Sequence, residues 1–286
     1  MMKRGLVLEG GAMRGMFTCG VIDVLLENKI SFDGVSGISA GAIFGVNYKS
    51  RQIGRGVRYN KKYGRDPRYF GLISLITTGD LYGKDFCYHE IIENLDPIDK
   101  KTYRENAIDF FVGATDVEKG IIRYHNCLDV DESSIDWMRA SASMPLVSTI
   151  VEVDGYKLLD GGVTDPIPYS IMEENGYDKN VIVLTQPRDF IKKKTSIIPI
   201  MKIVLHKYPK LVEAMANRHI LYNKETDEIK EKEKQNKFFV ISPKESLGIR
   251  RTENNPMELE RVYQLGRAEA KEKLDDIKNF LRKEKV

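Results

Sequence analysis

The chain has 286 residues, 42% of them hydrophobic, enough to bury a substantial core in one large or two small domains. Its 45 basic and 42 acidic residues leave a formal charge of +3, too balanced to argue for nucleic acid, and no nucleic-acid partner is expected. No run reaches the ~20 apolar residues of a membrane helix, and Glu9 with its following glycines interrupts the first apolar stretch too early for a signal peptide.

Short apolar runs alternate with amphipathic stretches, the pattern of a mostly parallel sheet flanked by helices. Residues 5–8 predict a buried strand ending at Gly10-Gly11. Met16, Phe17, Gly20, Val21, Val24 and Leu25 then recur at helical spacing. Residues 32–35 predict a second strand, leading through Ser36-Gly37 into a helix over 40–48. The stretch 48–82 is basic, tyrosine-rich and punctuated by glycine. Residues 108–114 and 121–124 read as a hairpin, and 134–142 as a helix stopped ahead of Pro145. Residues 151–153 and 156–159 pair around Asp154-Gly155, a strong turn. Residues 181–184 and 238–241 are the remaining strands. The region 196–236 is helical with dense alternating charge. Leu259, Val262, Gly266, Ala270, Leu274, Ile277 and Leu281 predict a last helix packed on the sheet. One domain spanning 1–286 is expected, with its motifs within about 5–185 and a helical extension over about 196–286.

Three segments carry chemistry. Gly37-Ile38-Ser39-Ala40-Gly41 fits G-x-S-x-G between a strand and a helix. Such a turn exposes the serine and leaves room for neighbouring backbone, and the helix behind it supplies partial positive charge. Taken alone, the pattern fits a serine N-cap equally well. Gly10-Gly11-Ala12-Met13-Arg14-Gly15 follows the first strand and opens a helix, so free backbone N–H groups face an anion there. Nucleotide binding is the competing reading. It is weakened by Ala12 at the middle glycine of G-x-G-x-x-G and by the lack of a G-K-[ST] ending. Asp160-Gly161-Gly162 closes a strand and alone would be an ordinary turn. All three lie at C-terminal strand ends, where open α/β sheets place ligands.

In this order the segments resemble the patatin-like phospholipase family, which carries a glycine-rich oxyanion loop, then G-x-S-x-G, then D-G-[GA]. Ala114-Thr115-Asp116 and Ala140-Ser141-Ala142-Ser143-Met144-Pro145 add to the likeness. The resemblance implies a three-layer α/β sandwich and a serine lipid acyl hydrolase (a phospholipase, lysophospholipase or carboxylesterase). Ser39 would be the nucleophile and Asp160 its base, with no histidine. Gly10, Gly11 and Ala12, with Arg14, would form the oxyanion hole, supported by Gly15, Gly37, Gly41, Gly161 and Gly162. No cofactor and no metal are implied, and the partner is a lipid or acyl-ester substrate. Ala12 departs from the family's usual glycine and is strained if that position has positive φ. An ordinary Ser-acid-His order would need His206 or His219, both in the charged helical stretch; His89 and His125 precede Asp160. Cys19, Cys87 and Cys127 have no metal-ligand spacing and read as idle thiols in a cytoplasmic protein. A non-catalytic lipid-binding or regulatory protein on the same scaffold is the alternative.

Residues 48–70 hold Lys49, Arg51, Arg55, Arg58, Lys61, Lys62, Arg65 and Arg68 against Asp66, interleaved with Tyr48, Tyr59, Tyr63, Tyr69 and Phe70. This segment is expected to border the substrate entrance and to meet an anionic membrane surface, its tyrosines at the interface. Phosphate contacts and base stacking with nucleic acid are a second reading of the segment, and a solvated basic helix is the competing one. Arg188, Lys192, Lys193 and Lys194 form a second basic cluster.

Overall fold

The computed structural model describes residues 2–282, so residues 1 and 283–286 of the expected domain lie outside it. In chain order come β1 (Lys3–Leu8), α1 (Gly15–Glu27), β2 (Gly34–Ile38), α2 (Ala40–Lys49), α3 (Arg55–Tyr63) and α4 (Leu72–Thr78). A π-helical segment (Phe86–Leu95), α5 (Lys100–Glu105), β3 (Asp109–Asp116), β4 (Ile121–Asn126) and α6 (Glu132–Ala142) follow. The chain continues with β5 (Val151–Val153), β6 (Tyr156–Asp160), α7 (Ser170–Glu174), β7 (Tyr177–Val183), α8 (Ile198–Val204), α9 (Pro209–Lys234), β8 (Phe238–Ile241), α10 (Pro256–Glu272) and α11 (Leu274–Phe280).

These strands form one sheet. β8, β7, β1, β2 and β3 lie side by side and parallel, and β4 runs antiparallel along the far edge of β3. The β5–β6 hairpin pairs antiparallel with residues 114–116 of β3. Because β4 occupies the other edge over 111–116, β6 must continue the edge that β2 leaves at Gly113. Successive strand residues face opposite sides. Leu6 and Leu8 join a core with α1, α2, α6 and α10, whereas Val7 and Ile182 pack with Tyr222 and Ile229 of α9. The architecture is the expected α/β sandwich, with helices on both faces of a mostly parallel sheet.

The second strand starts later than predicted. Asp33 turns the chain by accepting the Arg4 N–H through its carboxylate at 2.7 Å, and pairing with β1 begins only at Gly34. The C-terminal apolar pattern divides into α10 and α11 at Lys273. α10 packs on α1 rather than on the sheet, and the contact is very close: a Cβ on Gly20 would lie 2.1 Å from the Tyr263 carbonyl oxygen.

Residues 48–70 differ most from expectation. Tyr48, Tyr59, Tyr63 and Tyr69 are all buried, so none sits at an interface. Lys49 is buried and donates to Ile108 O at 2.7 Å. Arg55 donates to Asp96 O and Asn47 Oδ1. Arg58, Lys61 and Arg68 pair with Asp96, Glu260 and Asp66. The period-3.6 face of α3 is turned inward, which charge counting along the sequence cannot reveal. Lys49 and Arg55 are thus structural, whereas Arg51, Arg58, Lys62, Arg65 and Arg68 remain exposed on the outer face of the segment.

Candidate active site

Ser39 ends β2 and begins α2 with φ 53° and ψ −119°, a backbone conformation costly for any residue with a Cβ. Its surroundings enforce it. The Ser39 N–H donates to Ser141 Oγ at 2.9 Å. A Cβ on Gly41 would stand 2.2 Å from the Leu8 carbonyl oxygen, so only glycine lets the first turn of α2 press against the end of β1.

Ser39 Oγ donates to Asp160 Oδ2 at 2.8 Å, and both residues are buried. The other carboxylate oxygen accepts the Gly162 N–H at 2.7 Å. The Asp160 backbone is fixed from two sides, its N–H donating to Ser143 O and its carbonyl accepting from Thr115 Oγ1, each at 2.8 Å. Burial pushes the Asp160 carboxyl above the usual carboxylate range. The positive charge of Arg218 is the largest effect opposing this, followed by the bonds from Ser39 and Gly162.

The glycine-rich loop lies against this pair, a Cβ on Gly10 being only 3.2 Å from Ser39 Cβ. The Gly10 N–H already donates to Pro166 O at 3.3 Å, which removes it from the expected oxyanion donors. The N–H groups of Gly11 and Ala12 have no partner among the described residues. Ala12 has φ 48°, so the departure from glycine falls on a left-handed position. Arg14 is half-buried, and its Nε lies 3.4 Å from Thr185 Oγ1.

An apolar cavity opens from Ser39 and Ala12, walled by Phe44, Tyr59, Tyr69, Ile91, Ile135 and Met138. Arg55, Tyr59, Asn60 and Tyr69 thus bring the 48–70 segment to the site as an inner wall. Among the described residues no histidine bonds to Ser39 or Asp160. His206 is exposed beside Ile203 O, His125 stacks on Trp137, and His219 has a buried Nδ1 with no hydrogen bond. His89, Glu93 and Glu132 bring ligand atoms within 4.8 Å of one another; none bonds to Ser39 or Asp160.

Sequence reasoning missed Arg218, which donates from α9 through Nε to Gly162 O. Its only trace is that Arg218, Tyr222, Glu225 and Ile229 recur at helical spacing inside a run dominated by surface charge.

A sequence model described as "Patatin-like phospholipase" matches residues 6–172, and one described as "Domain of unknown function (DUF6363)" matches residues 208–282. The uncharacterized protein YjjU of Escherichia coli (strain K12) is 27% identical over 187 residues, covering 64% of this chain and 52% of that one. Lysophospholipase nte1 of Aspergillus niger is 29% identical over 189 residues, covering 61% of this chain and 11% of that one. The chain therefore corresponds to about half of the first relative and about a tenth of the second. VipD from Legionella pneumophila superposes with a TM-score of 0.47 at 14% identity, over 96% of this chain and 67% of that one. With more than half of its length matched by the family, this chain belongs to the patatin-like phospholipase family.

Proposed function

We propose that the protein is a serine lipid acyl hydrolase acting on a carboxylic ester of a phospholipid, lysophospholipid or similar lipid. The observation that carries this reading is the 2.8 Å bond from Ser39 Oγ to Asp160 at the mouth of an apolar cavity. In the proposed reaction Asp160 takes the Ser39 proton as Oγ bonds to the ester carbonyl carbon. The carbonyl π pair moves to the oxygen, which the N–H groups of Gly11 and Ala12 stabilise, with Arg14 adding positive charge. Collapse of this intermediate breaks the bond to the alcohol oxygen, and Asp160 returns the proton to the leaving alcohol. Water then bonds to the acyl carbon as Asp160 takes its proton; collapse breaks the bond to Ser39 Oγ, which recovers that proton from Asp160 as the fatty acid leaves. Nothing in this sequence of steps requires a cofactor or metal.

A lipid-binding protein without activity is the second reading, and it leaves the strained Ser39 backbone and its bond to Asp160 without purpose. Labelling with a fluorophosphonate probe separates the two. Wild type should label and Ser39→Ala should not. Equal labelling of both, or none of either, would remove Ser39 from the mechanism.

The same reading extends to organisation and location. β7 and β8 lie beyond the patatin match yet complete the sheet, which supports a single domain over 1–286. No helix among the described residues is long and apolar enough to cross a membrane; a cytoplasmic protein reaching lipid at a surface fits this. The surface offered for such contact is apolar: Leu72, Ile73 and Ile76 on α4 and Ile200, Ile203 and Val204 on α8 are exposed.

A further inference from the structure

The cavity beside Ser39 is apolar, but positive charge gathers around Gly162, next to Asp160. Arg218 donates to Gly162 O, and a Cβ on Gly162 would meet its guanidinium at 3.2 Å. One helical turn along α9, the Tyr222 ring carries Lys192 Nζ at 4.0 Å from its centroid. The Tyr222 hydroxyl donates to Glu9 Oε1 at 2.9 Å. Arg14 reaches the same place from the glycine-rich loop through Thr185, whose hydroxyl donates to Glu9 Oε2 at 3.1 Å. Arg251 is exposed and acts electrostatically on Arg14, Asp160, Lys192 and Arg218.

Of the nearby carboxylates, Glu225 is held in its neutral form mainly by burial, and two others are already engaged. Glu9 serves the backbone and hydroxyl of Thr185 and the hydroxyl of Tyr222. Asp160 serves Ser39 and Gly162. Among the described residues none of the four cations forms a salt bridge. Burial, then the charge of Arg218, lowers Lys192 to about 7. Burial also lowers Arg14 and Arg218. Like charges gathered in a half-buried place cost energy unless an anion joins them.

Asp160 must hand its proton to the leaving alcohol, so the leaving group lies on the Asp160–Gly162 side, where these cations are. Arginine forks match the terminal oxygens of a phosphate. We propose that Arg14, Lys192, Arg218 and Arg251 form a subsite for the phosphate of the leaving alcohol, so that the preferred substrate is a phosphate-bearing acyl ester. The acyl chain would lie in the apolar cavity and the glycerophosphate on the α9 side. This inference rests on the hydrolase reading above. It also gives the region 208–282 a role, because Arg218 and Arg251 both fall within it.

The test compares kcat/KM for a 1-acylglycerol 3-phosphate with that for the 1-acylglycerol of the same chain. Wild type should favour the phosphate ester. Arg251→Gln, at an exposed side chain without hydrogen bonds among the described residues, should lower that ratio roughly tenfold to a hundredfold, what one charge-assisted hydrogen bond is worth. Lys192→Gln should lower it in the same direction. A wild type without preference, or a ratio unchanged in both variants, overturns the subsite while leaving the hydrolase reading standing. If wild type cleaves neither ester, fluorophosphonate labelling of Ser39 decides the hydrolase reading. The subsite is then decided by calorimetric titration with glycerol 3-phosphate. Binding that weakens in Arg251→Gln supports it, and absence of binding to wild type overturns it.

Discussion

Ser39 and Asp160 meet because their strands run toward each other along one edge of β3. β2 travels parallel to β3 and its last pair is Ile38 with Gly113. β6 comes from the opposite direction, and its last pair is Asp160 with Ala114. The two strands thus abut at consecutive residues of β3, and the side chains that terminate them come within 2.8 Å. No loop has to close over the pair. Both ends are pinned by the ladder of β3 and by the small-residue segment that ends α6, through Ser141 and Ser143.

This arrangement predicts an acid limb for hydrolysis of a short soluble ester. Asp160 acts as base only when ionised, and burial holds its carboxyl above the usual range. Activity should therefore rise with pH through an apparent pKa above the ~3.9 of a free aspartate. Arg218 is the largest influence holding that pKa down. Arg218→Gln keeps a donor for Gly162 O but removes the charge, and it should move the limb to higher pH. A pH–rate profile in which the limb stays put would separate Arg218 from the titration of Asp160.

Much of the site was legible because its parts are short and local. The loop from Gly10, the turn at Ser39 and the Asp160-Gly161-Gly162 turn each sit at a strand end that the sequence marks by apolar run and glycine. Ala12 too was correctly singled out, since a left-handed position is a property of one residue. The hydrogen bond of Gly10 to Pro166 was not legible, because it joins segments far apart in the chain. Nor was the fate of the basic stretch 48–70, whose cations find Asp96, Glu260 and the Ile108 carbonyl only in three dimensions. Arg218 stayed hidden for the same reason, as one cation in a helix rich in them.

Lipid contact is expected at the apolar rim rather than at the basic segment. α4 lies between Tyr69 and Tyr82, which both line the cavity. It is tied to residues 147–149 by Leu81 N donating to Val147 O and Thr149 N donating to Asp80. Leu146 packs in turn against Ile198 and Met201 of α8. The exposed isoleucines of α4 and α8 thus flank one short segment next to the cavity. Burying one such side chain in lipid is worth about 1.5–3 kcal/mol. Ile73→Ser with Ile76→Ser should weaken sedimentation with phospholipid vesicles at least roughly tenfold. It should slow turnover of vesicle lipid and leave a short soluble ester unaffected. Equal loss on both substrates, or undiminished vesicle binding, would rule this surface out.

Glu225 supplies the last prediction, a stability that depends on pH. Its side chain is buried on α9, and Oε2 has no hydrogen-bond partner. Burial, then the charges of Asp165 and Glu9, hold its carboxyl far above the usual glutamate range, so it is protonated at neutral pH in the folded chain. In the unfolded chain it loses that proton near ~4.3. Between these limits the folded state binds the extra proton, and the sign follows: stability falls as pH rises, by at most ~1.36 kcal/mol per unit. Glu225→Gln replaces a neutral acid by a neutral amide of the same shape and cannot titrate. Its melting temperature relative to wild type should therefore climb as pH is raised from 5 to 8. Asp165, shifted upward mainly by burial, adds a slope of the same sign that Glu225→Gln leaves in place. Scanning calorimetry of wild type and variant at pH 5, 6.5 and 8 measures the difference. A gain that is constant across the three, or one that shrinks with pH, would mean that Glu225 is ionised in the fold and that its neighbours are neutralising it.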